Sequence, residues 1–413
     1  RSPGDQRYAT WFNDSAKRGG GANVWTTMSV DEDRDLIFLP TGSPSPDMFG
    51  GLRQGKNEDA NSVVALRGST GEKVWSYQIV HHDLWDYDLP AAPVLLDLQR
   101  NGEKVPAVVQ TTKQGLIFVF NAVTGEPLFD IEERPVPQTT LTGEWTSPSQ
   151  PFPEKPRPLL SDEVSEEVAW GFTFWDRGKC KKWFQRLDNE GIYTPPSERG
   201  IALRPSWSGG MNWGGPAVDP KSGVMVVNLT NVVTEVLLER RKENMEPLPG
   251  ISVDDTRTLR RQLGYPMLDT PFRVRAQAIL SPFGAPCNPP PWGKLAAVDL
   301  NTGDILWDRA LGTIDRISPI FPFPLELGTP NLGGPLVTES GLIFIAATMD
   351  DRIRAFDIDD GEMLWSARLP AGGQAGPMTY EWEGTQYILI AAGGHAWLGT
   401  KQGDYYVAYA LDG

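Results

Sequence analysis

The sequence predicts an all-β protein built from short antiparallel strands, and two observations lead to that prediction. The composition is rich in turn-forming and aromatic residues, with 43 glycines, 36 prolines and 15 tryptophans among 413 residues, which favours many turns over long helices. One pattern also recurs: a strand, a tight turn whose glycine supplies a positive φ, and a second strand that carries an aromatic residue. This hairpin pattern occurs at residues 63–75, 117–129, 295–307 and 353–365.

A second hairpin pattern precedes the first at a regular interval. It is found at residues 25–39, 214–227 and 333–345. Two joined hairpins form a four-stranded antiparallel unit, and stacked units of this kind form a β-propeller. Five units, or blades, are expected with approximate boundaries, at residues 22–80, 86–131, 208–310, 328–369 and 372–413.

The repeat has gaps. The last unit ends at residues 406–411 without a final aromatic strand, and residues 1–20 contain no strand pattern that could replace it. An open propeller would expose sheet edges, which natural proteins avoid, so we expect that N-terminal blades are missing from this chain. Residues 132–207 and 235–292 are interpreted as insertions into one domain that spans residues 1–413.

Some local structure is also expected within the two insertions. Short helices are predicted near residues 163–168 and 181–187 in the first insertion. The second insertion contains the charged run at residues 240–244, which is interpreted as a solvated surface.

The charge and the apolar runs exclude some classes of partner. The formal net charge is −15, which argues against nucleic acid because phosphate binding needs clustered Lys and Arg. No apolar run reaches the roughly 18 residues that span a bilayer. The chain opens with Arg1 and has neither an initiator Met nor a signal peptide, so it is interpreted as a processed chain or a fragment.

Cys180 and Cys287 are the two cysteines of the chain. Their spacing does not choose between one structural disulfide and two buried thiols. We favour the disulfide because the predicted fold occurs mostly outside the cytosol.

A polar stretch at residues 81–90 directly follows a predicted strand. It contains His81 and His82, two of the three histidines in the chain, together with three aspartates. Asp86 and Asp88 would point to the same side of an extended segment, and polar residues at strand ends often carry function. The alternative is a turn in which aspartates cap backbone N–H groups. A zinc site is not expected, because no third histidine and no pair of cysteines has ligand spacing.

These motifs resemble those of dehydrogenases that depend on pyrroloquinoline quinone (PQQ). The similarity is nearest to the C-terminal part of the membrane-bound glucose dehydrogenase type and runs in order over essentially the whole chain. The segments that carry it are residues 40–42 with 45–47, 80–90, 112–115, 213–215 with 219–220, 369–374, and 393–395 with 399–405. The resemblance implies an eight-bladed propeller with the quinone on its axis, of which roughly three blades would lie outside this chain.

The resemblance also implies roles for single residues. Asp86 would be the general base for the substrate hydroxyl while hydride moves to the quinone C5. Lys113 would donate to the quinone oxygens and stabilise developing negative charge, and its alternative is a surface lysine in a turn. Trp25 would stack on the cofactor, and its alternative is propeller core. The residues that would hydrogen-bond the quinone, or otherwise form turns, are Ser45, Asn228 and Asn331.

The resemblance further implies Ca²⁺ or Mg²⁺, hard cations that prefer oxygen ligands. Asp88 could reach such an ion, but the principal ligands of the glucose dehydrogenase type precede this chain, so no metal ligand is assigned. His81 and His82 would shape the substrate entrance. The chain lacks the adjacent cysteine pair of the alcohol dehydrogenase branch, which favours the sugar-oxidising branch.

Three functional hypotheses follow from the sequence. The first is a periplasmic, PQQ-dependent dehydrogenase that oxidises a sugar or polyol and passes electrons to ubiquinone or a cytochrome. The second is a non-catalytic β-propeller scaffold of the outer-membrane assembly kind. The third is a folded but inactive fragment of such an enzyme. A set of Asp86, Lys113 and Asn228 at strand ends facing the axis would discriminate the enzyme from the scaffold.

Overall fold

The computed structural model describes residues 6–12, 15–18, 20–100, 102–241, 264–267, 269–316 and 323–410. Five antiparallel sheets in these residues coincide with the five predicted units, and we number them blades 1 to 5 in chain order. Blade 1 contains the strands Ser29–Asp31, Leu36–Pro40, Ser62–Arg67 and Lys73–Gln78. Blade 2 contains Val94–Arg100, Glu103–Thr111 and Ile117–Asn121. Blade 3 contains Ala217–Asp219, Val224–Thr230, Gly293–Asp299 and Asp304–Ala310.

The last two blades follow without an insertion. Blade 4 contains Leu336–Val337, Leu342–Ile345, Arg352–Asp357 and Met363–Arg368. Blade 5 contains Met378–Trp382, Thr385–Ala392 and Tyr405–Ala410. The first strands of blades 1 and 2 contact each other, as do those of blades 3 and 4, so consecutive blades stack side by side. The predicted β-propeller architecture is confirmed.

Aromatic side chains hold consecutive blades together through one repeated contact. The indole of Trp75 in blade 1 donates its N–H to the carbonyl of Ala122 in blade 2 at 2.9 Å, and Trp307 in blade 3 donates to Ile358 in blade 4 at 2.8 Å. Each indole covers the glycine of the next blade's turn. A Cβ atom on Gly125 would lie 2.6 Å from the Trp75 ring, and one on Gly361 would lie 2.6 Å from the Trp307 ring, so these two turns leave no room for a side chain.

The two insertions form more regular structure than the sequence predicted. The strands Ile201–Leu203, Thr234–Arg240, Tyr265–Pro266 and Phe272–Ala278 make an additional four-stranded sheet. The first insertion also forms a two-stranded sheet of Ile131–Pro135 with Ser149–Pro153. Outside the insertions, Gly20–Gly21 pairs with Pro44–Ser45. Of the predicted charged run, Arg240 ends a strand and pairs with Glu198 at 2.6 Å, whereas residues 242–244 lie outside the described residues.

The predicted helix positions were partly wrong. The structure has a 3-10 helix at Gln6–Thr10 and α-helices at Ser15–Arg18 and Phe174–Phe184, and residues 163–168 are not helical. The third helix starts at residue 174 because Thr173 and Asp176 form a reciprocal capping box. Residues 163–168 have no such start, and Ser161 satisfies the N–H of Glu163 instead.

A disulfide joins Cys180 to Cys287, so the preferred pairing is confirmed. Both cysteines are fully buried, and the bond fixes the helix Phe174–Phe184 to the segment before the third strand of blade 3. The described part of the chain has no helix long and apolar enough to cross a membrane.

Candidate active site

The segment between blades 1 and 2 is anchored by its apolar side chains. Leu84, Trp85, Tyr87 and Leu89 are all buried in the largest hydrophobic cluster. The Trp85 indole N–H donates to the Thr194 carbonyl at 2.7 Å, so the first insertion forms one wall of this cluster. The polar residues that alternate with these anchors are therefore held in fixed positions.

Asp83 performs the turn-capping role that was the alternative for this stretch. Its carboxylate accepts the backbone N–H groups of Trp85 at 3.0 Å and Tyr87 at 2.9 Å. It also accepts the Ser43 hydroxyl and, at 3.2 Å, the Asn61 side-chain amide. Because Asp83 closes the turn, the carboxylates of Asp86 and Asp88 are available for other contacts. We call residues 83–88 the acidic turn.

Lys113 binds both of these aspartates. Its ammonium Nζ donates to the Asp86 carbonyl at 2.7 Å, to Asp86 Oδ2 at 3.1 Å and to Asp88 Oδ2 at 2.9 Å. Asp88 Oδ1 accepts the backbone N–H of Ser43 at 2.6 Å. The Lys113 side chain is 7% exposed, which contradicts the alternative of a surface lysine. The structure thus brings together residues that are far apart in sequence.

Glycine on a neighbouring segment makes room for Lys113. A Cβ atom on Gly209 would lie 2.5 Å from Lys113 Cγ, and Gly209 has a φ of +88°, a conformation that glycine adopts without strain. The next residue, Gly210, donates its N–H to the Lys113 carbonyl at 2.7 Å. The segment at residues 209–210 therefore packs directly along the lysine stem.

The three charges perturb one another. Burial raises the pKa of Asp86 well above its ordinary value, and the Lys113 ammonium opposes this effect only in part. Burial also works against charge on Asp88, but Lys113 and the Ser43 N–H outweigh it and lower the pKa of Asp88. The pKa of Lys113 is raised because its two carboxylate partners outweigh its burial. Environments that separate the pKa values of two carboxylates are typical of acid–base sites, and here Asp86 is the more basic.

Trp25 lies beside the acidic turn and is not core. The position of a Cβ atom on Gly42 would be 2.6 Å from Asp88 Oδ1 and 3.3 Å from Trp25 Cδ1, so Gly42 lets both side chains approach it. The indole is 47% exposed, which contradicts the core alternative and leaves a ring available for stacking. Ser45 is exposed and pairs through its backbone with Gly20.

Asn228 and Asn331 form a second group. Asn228 Nδ2 donates to Asn331 Oδ1 at 2.6 Å, and Asn331 Nδ2 donates to the Leu229 carbonyl at 2.8 Å. Both side chains are buried. The strand that carries Asn228 continues to Thr230, whose N–H donates to the Gly210 carbonyl at 2.8 Å. Since Gly210 also binds the Lys113 backbone, the amide pair and the charged cluster lie on adjoining segments.

The two histidines contact the first insertion. The His81 ring lies 2.9 Å from both Gln78 Oε1 and Glu133 Oε1. The His82 ring is fully buried, 2.7 Å from the Gly55 carbonyl and 3.3 Å from Glu144 Oε1. The role of both histidines at a substrate entrance stays a prediction. Because the His82 ring is buried, it could shape an entrance only indirectly, by holding the segments of Gly55 and Glu144 together.

The residues brought together here include groups that suit a planar cofactor. Trp25 offers a half-exposed ring, Lys113 a fixed cation, and Asn228 a side-chain amide. Within the described residues, no group of three or more His, Cys, Asp and Glu side chains could hold a metal ion. Asp86 and Asp88 supply two carboxylates at most, and Lys113 already neutralises part of their charge.

Sequence reasoning missed Ser43, Asn61 and Arg53, which support the acidic turn from a separate loop. Asn61 donates to Ser43, Asp83 and the Tyr87 carbonyl. No periodicity or motif singled out Asn61 before the strand Ser62–Arg67. Only its burial, 1% exposed, and its partners in space identify it.

Comparisons with known proteins agree with this architecture. A family model described as "PQQ: Glucose/ethanol/alcohol dehydrogenase, beta-propeller domain" matches residues 2–388. The chain is 43% identical over 397 residues to the quinoprotein glucose dehydrogenase of Escherichia coli K12, covering 94% of this chain and 49% of that protein. It is 39% identical over 399 residues to a probable quinate dehydrogenase (quinone) of Xanthomonas campestris pv. juglandis, covering 94% and 50%.

A solved structure shows the same fold. The quinohemoprotein alcohol dehydrogenase of Comamonas testosteroni superimposes with a TM-score of 0.62 at 20% identity, covering 97% of this chain and 50% of that one. The chain therefore spans about half the length of the relatives it matches.

Proposed function

This chain belongs to the PQQ-dependent glucose/ethanol/alcohol dehydrogenase β-propeller family, and on that premise we propose that it supplies the catalytic base of a sugar or polyol dehydrogenase. The observation that carries the proposal is the buried contact of Lys113 with Asp86 and Asp88. Burying three charges is expensive, and a perturbed, partly accessible carboxylate held beside a fixed cation is a feature that acid–base sites often share.

Asp86 acts as the general base in this proposal. Its side chain is 23% exposed, so a substrate hydroxyl can reach it, and its raised pKa makes it a stronger base than an ordinary carboxylate. Asp88 remains ionised because its pKa is lowered, and it keeps the Lys113 ammonium in place. Asp86 therefore takes the hydroxyl proton while Lys113 holds its carbonyl and carboxylate in a fixed orientation.

PQQ, when bound, would supply the redox chemistry by accepting the hydride from the substrate carbon. Trp25 would stack on its plane, and Ser45 and Asn228 would donate to its oxygens. Lys113 and Asn331 would do so by exchanging a present acceptor, because Lys113 Nζ donates to three oxygens and Asn331 Nδ2 donates to the Leu229 and Thr329 carbonyls. Asp88 is the one residue proposed to approach Ca²⁺ or Mg²⁺. The remaining ligands would lie outside the described residues, which contain no group of three or more His, Cys, Asp and Glu side chains that could hold a metal ion.

The substrate class and the electron acceptor are part of the same proposal. Relatives named for glucose and for quinate match this chain with 43% and 39% identity, so overall similarity does not choose the substrate. We propose a sugar or polyol hydroxyl, with ubiquinone or a cytochrome as acceptor. A periplasmic location is supported by the Cys180–Cys287 disulfide, because such bonds persist in oxidising compartments.

Reconstitution of the purified protein with PQQ and Ca²⁺ or Mg²⁺ tests the proposal. We expect the protein to bind PQQ, which quenching of tryptophan fluorescence would measure. We also expect metal-dependent dye reduction with glucose, glycerol or quinate. Binding without turnover would support the cofactor site and identify this chain as an incomplete enzyme, and intact mass would show which blades the tested protein contains. Failure of a full-length protein to bind PQQ would overturn the proposal in favour of a scaffold.

A further inference from the structure

The acidic turn contains backbone that needs support from its surroundings. Asp86 has a φ of +59°, and His82, directly before the turn, has a φ of +48°. Non-glycine residues adopt this left-handed region at a cost in conformational energy, and they persist where contacts hold them. The Asp83 carboxylate caps two N–H groups of the turn, and the Asp83 carbonyl accepts a further hydrogen bond from outside the turn.

Arg53 binds that carbonyl from a separate loop. Its guanidinium is 0% exposed, and Nη2 donates to the Asp83 carbonyl. The same group donates to the Pro46 carbonyl from Nε at 3.0 Å and from Nη2 at 2.7 Å. Further bonds go to the Asp47 carbonyl at 3.2 Å and to Asn57 Oδ1 at 3.0 Å. One planar group therefore joins both ends of the loop at residues 46–57 to the acidic turn.

The loop that carries Arg53 is itself fixed from outside. Glu144, in the first insertion, accepts the backbone N–H of Gly50 at 2.6 Å and lies 3.3 Å from the buried His82 ring. Its side chain is 2% exposed. Arg53 therefore lies on a loop whose position is fixed, in part by Glu144 of the first insertion.

We propose that Arg53 is a positioning residue: it holds the backbone of the acidic turn so that Asp86 and Asp88 both face the Lys113 ammonium. It acts through the Asp83 carbonyl and touches neither Asp86 nor Asp88 through the hydrogen bonds of its side chain. Lysine cannot replace it, because a single ammonium cannot reproduce the planar fork that reaches these carbonyls. The proposal deepens the proposed function and rests on it for the catalytic meaning of the turn.

Hydrogen exchange tests the positioning role without any need for activity. In Arg53→Lys, the peptide at residues 83–89 should exchange about tenfold faster than in the unmodified protein, because the Asp83 carbonyl loses its partner and the turn opens more often. A peptide at residues 352–357 in blade 4 should be unchanged. The matched control is Arg204→Lys, which alters another buried arginine whose bonds go to Asn231 and Glu163.

A milder variant and a kinetic readout complete the experiment. Asn57→Gly keeps a residue suited to the φ of +56° but removes one guanidinium partner, and it should accelerate exchange at residues 83–89 by a smaller factor. In the PQQ-reconstituted enzyme, Arg53→Lys should lower kcat about tenfold or more and leave the Kd for PQQ within about threefold. Arg204→Lys should change neither constant.

The outcomes separate this proposal from the proposed function. Unchanged exchange at residues 83–89 in both Arg53→Lys and Asn57→Gly would overturn the positioning role. So would accelerated exchange with an unaltered kcat. A protein that binds no PQQ would contradict the proposed function, while the exchange data would still decide whether Arg53 holds the turn.

Discussion

Replacing Lys113 with methionine should destabilise the protein in a pH-dependent way. The lysine makes three contacts of 2.7–3.1 Å to Asp86 and Asp88, and the side chains of these aspartates are 23% and 15% exposed. Removing one partner from a mostly buried ionic group costs roughly 3 kcal/mol. We therefore expect the free energy of unfolding in Lys113→Met to fall by about 3 kcal/mol at pH 7.5.

The loss should be smaller at pH 4.5. Lys113 lowers the pKa of Asp88, so the stability that this pair contributes is fully present above the ordinary Asp value near 3.8 and is lost only as the pH falls through the lowered pKa, below both pH values. The difference between pH 7.5 and pH 4.5 therefore comes from the variant, in which burial acts on the two carboxylates without an opposing cation. Lys113 also opposes the rise in the pKa of Asp86, so without it both carboxylates take up protons more readily. The pKa of Lys113 itself is raised from 10.5, and its charge does not change in this range.

Urea denaturation at the two pH values measures this effect. The control is Lys155→Met, which breaks the surface pair with Asp304 at 2.8 Å, where the two side chains are 47% and 62% exposed. That change should cost less than about 1 kcal/mol at either pH. An equal loss for Lys113→Met at pH 4.5 and 7.5, or a loss no greater than that of the control, would refute the electrostatic account of the site.

Two further predictions concern the blade contacts and the base. Gly125→Ala should destabilise the protein by about 2 kcal/mol or more, because it combines a positive φ with a clash against Trp75. The control is Gly71→Ala, because Gly71 has a similar φ of +72° but no atom within 4 Å of an added Cβ, and it should cost about 1 kcal/mol. Equal losses in thermal unfolding would argue against the packing of Trp75 on Gly125. In the reconstituted enzyme, kcat/KM should rise with pH through a value above the ordinary carboxyl pKa of 3.8, because burial raises the pKa of Asp86. A profile that is flat from pH 4 to pH 8 would contradict that assignment.

The fold was predictable because its repeat is local. The alternating strands and the glycine turns of each hairpin lie within about 15 residues of sequence, and all five predicted sheets were found. The additional sheet was missed. Its strands Ile201–Leu203 and Thr234–Arg240 are separated in sequence by two strands of blade 3, and they carry no repeat signal. The helix Phe174–Phe184 was misplaced because its start depends on one capping box rather than on periodicity.

The candidate site was predictable only in its named side chains. Asp86 and Lys113 were predicted from a resemblance, and the structure places them in direct contact. What holds them could not be predicted: Ser43, Arg53 and Asn61 contact the acidic turn across 22 to 45 residues of sequence. Burial of an arginine or an asparagine depends on the tertiary packing and leaves no local pattern.

The most direct test of the central claim is the turnover of Asp86→Asn reconstituted with PQQ and Ca²⁺. Asparagine keeps the shape of the side chain but cannot accept the proton, so we expect kcat to fall about 100-fold or more and the Kd for PQQ to stay within a few-fold. Asp97→Asn, at a 45% exposed aspartate in blade 2, should be as active as the unmodified protein. Undiminished turnover in Asp86→Asn would contradict the assignment of Asp86 as the base.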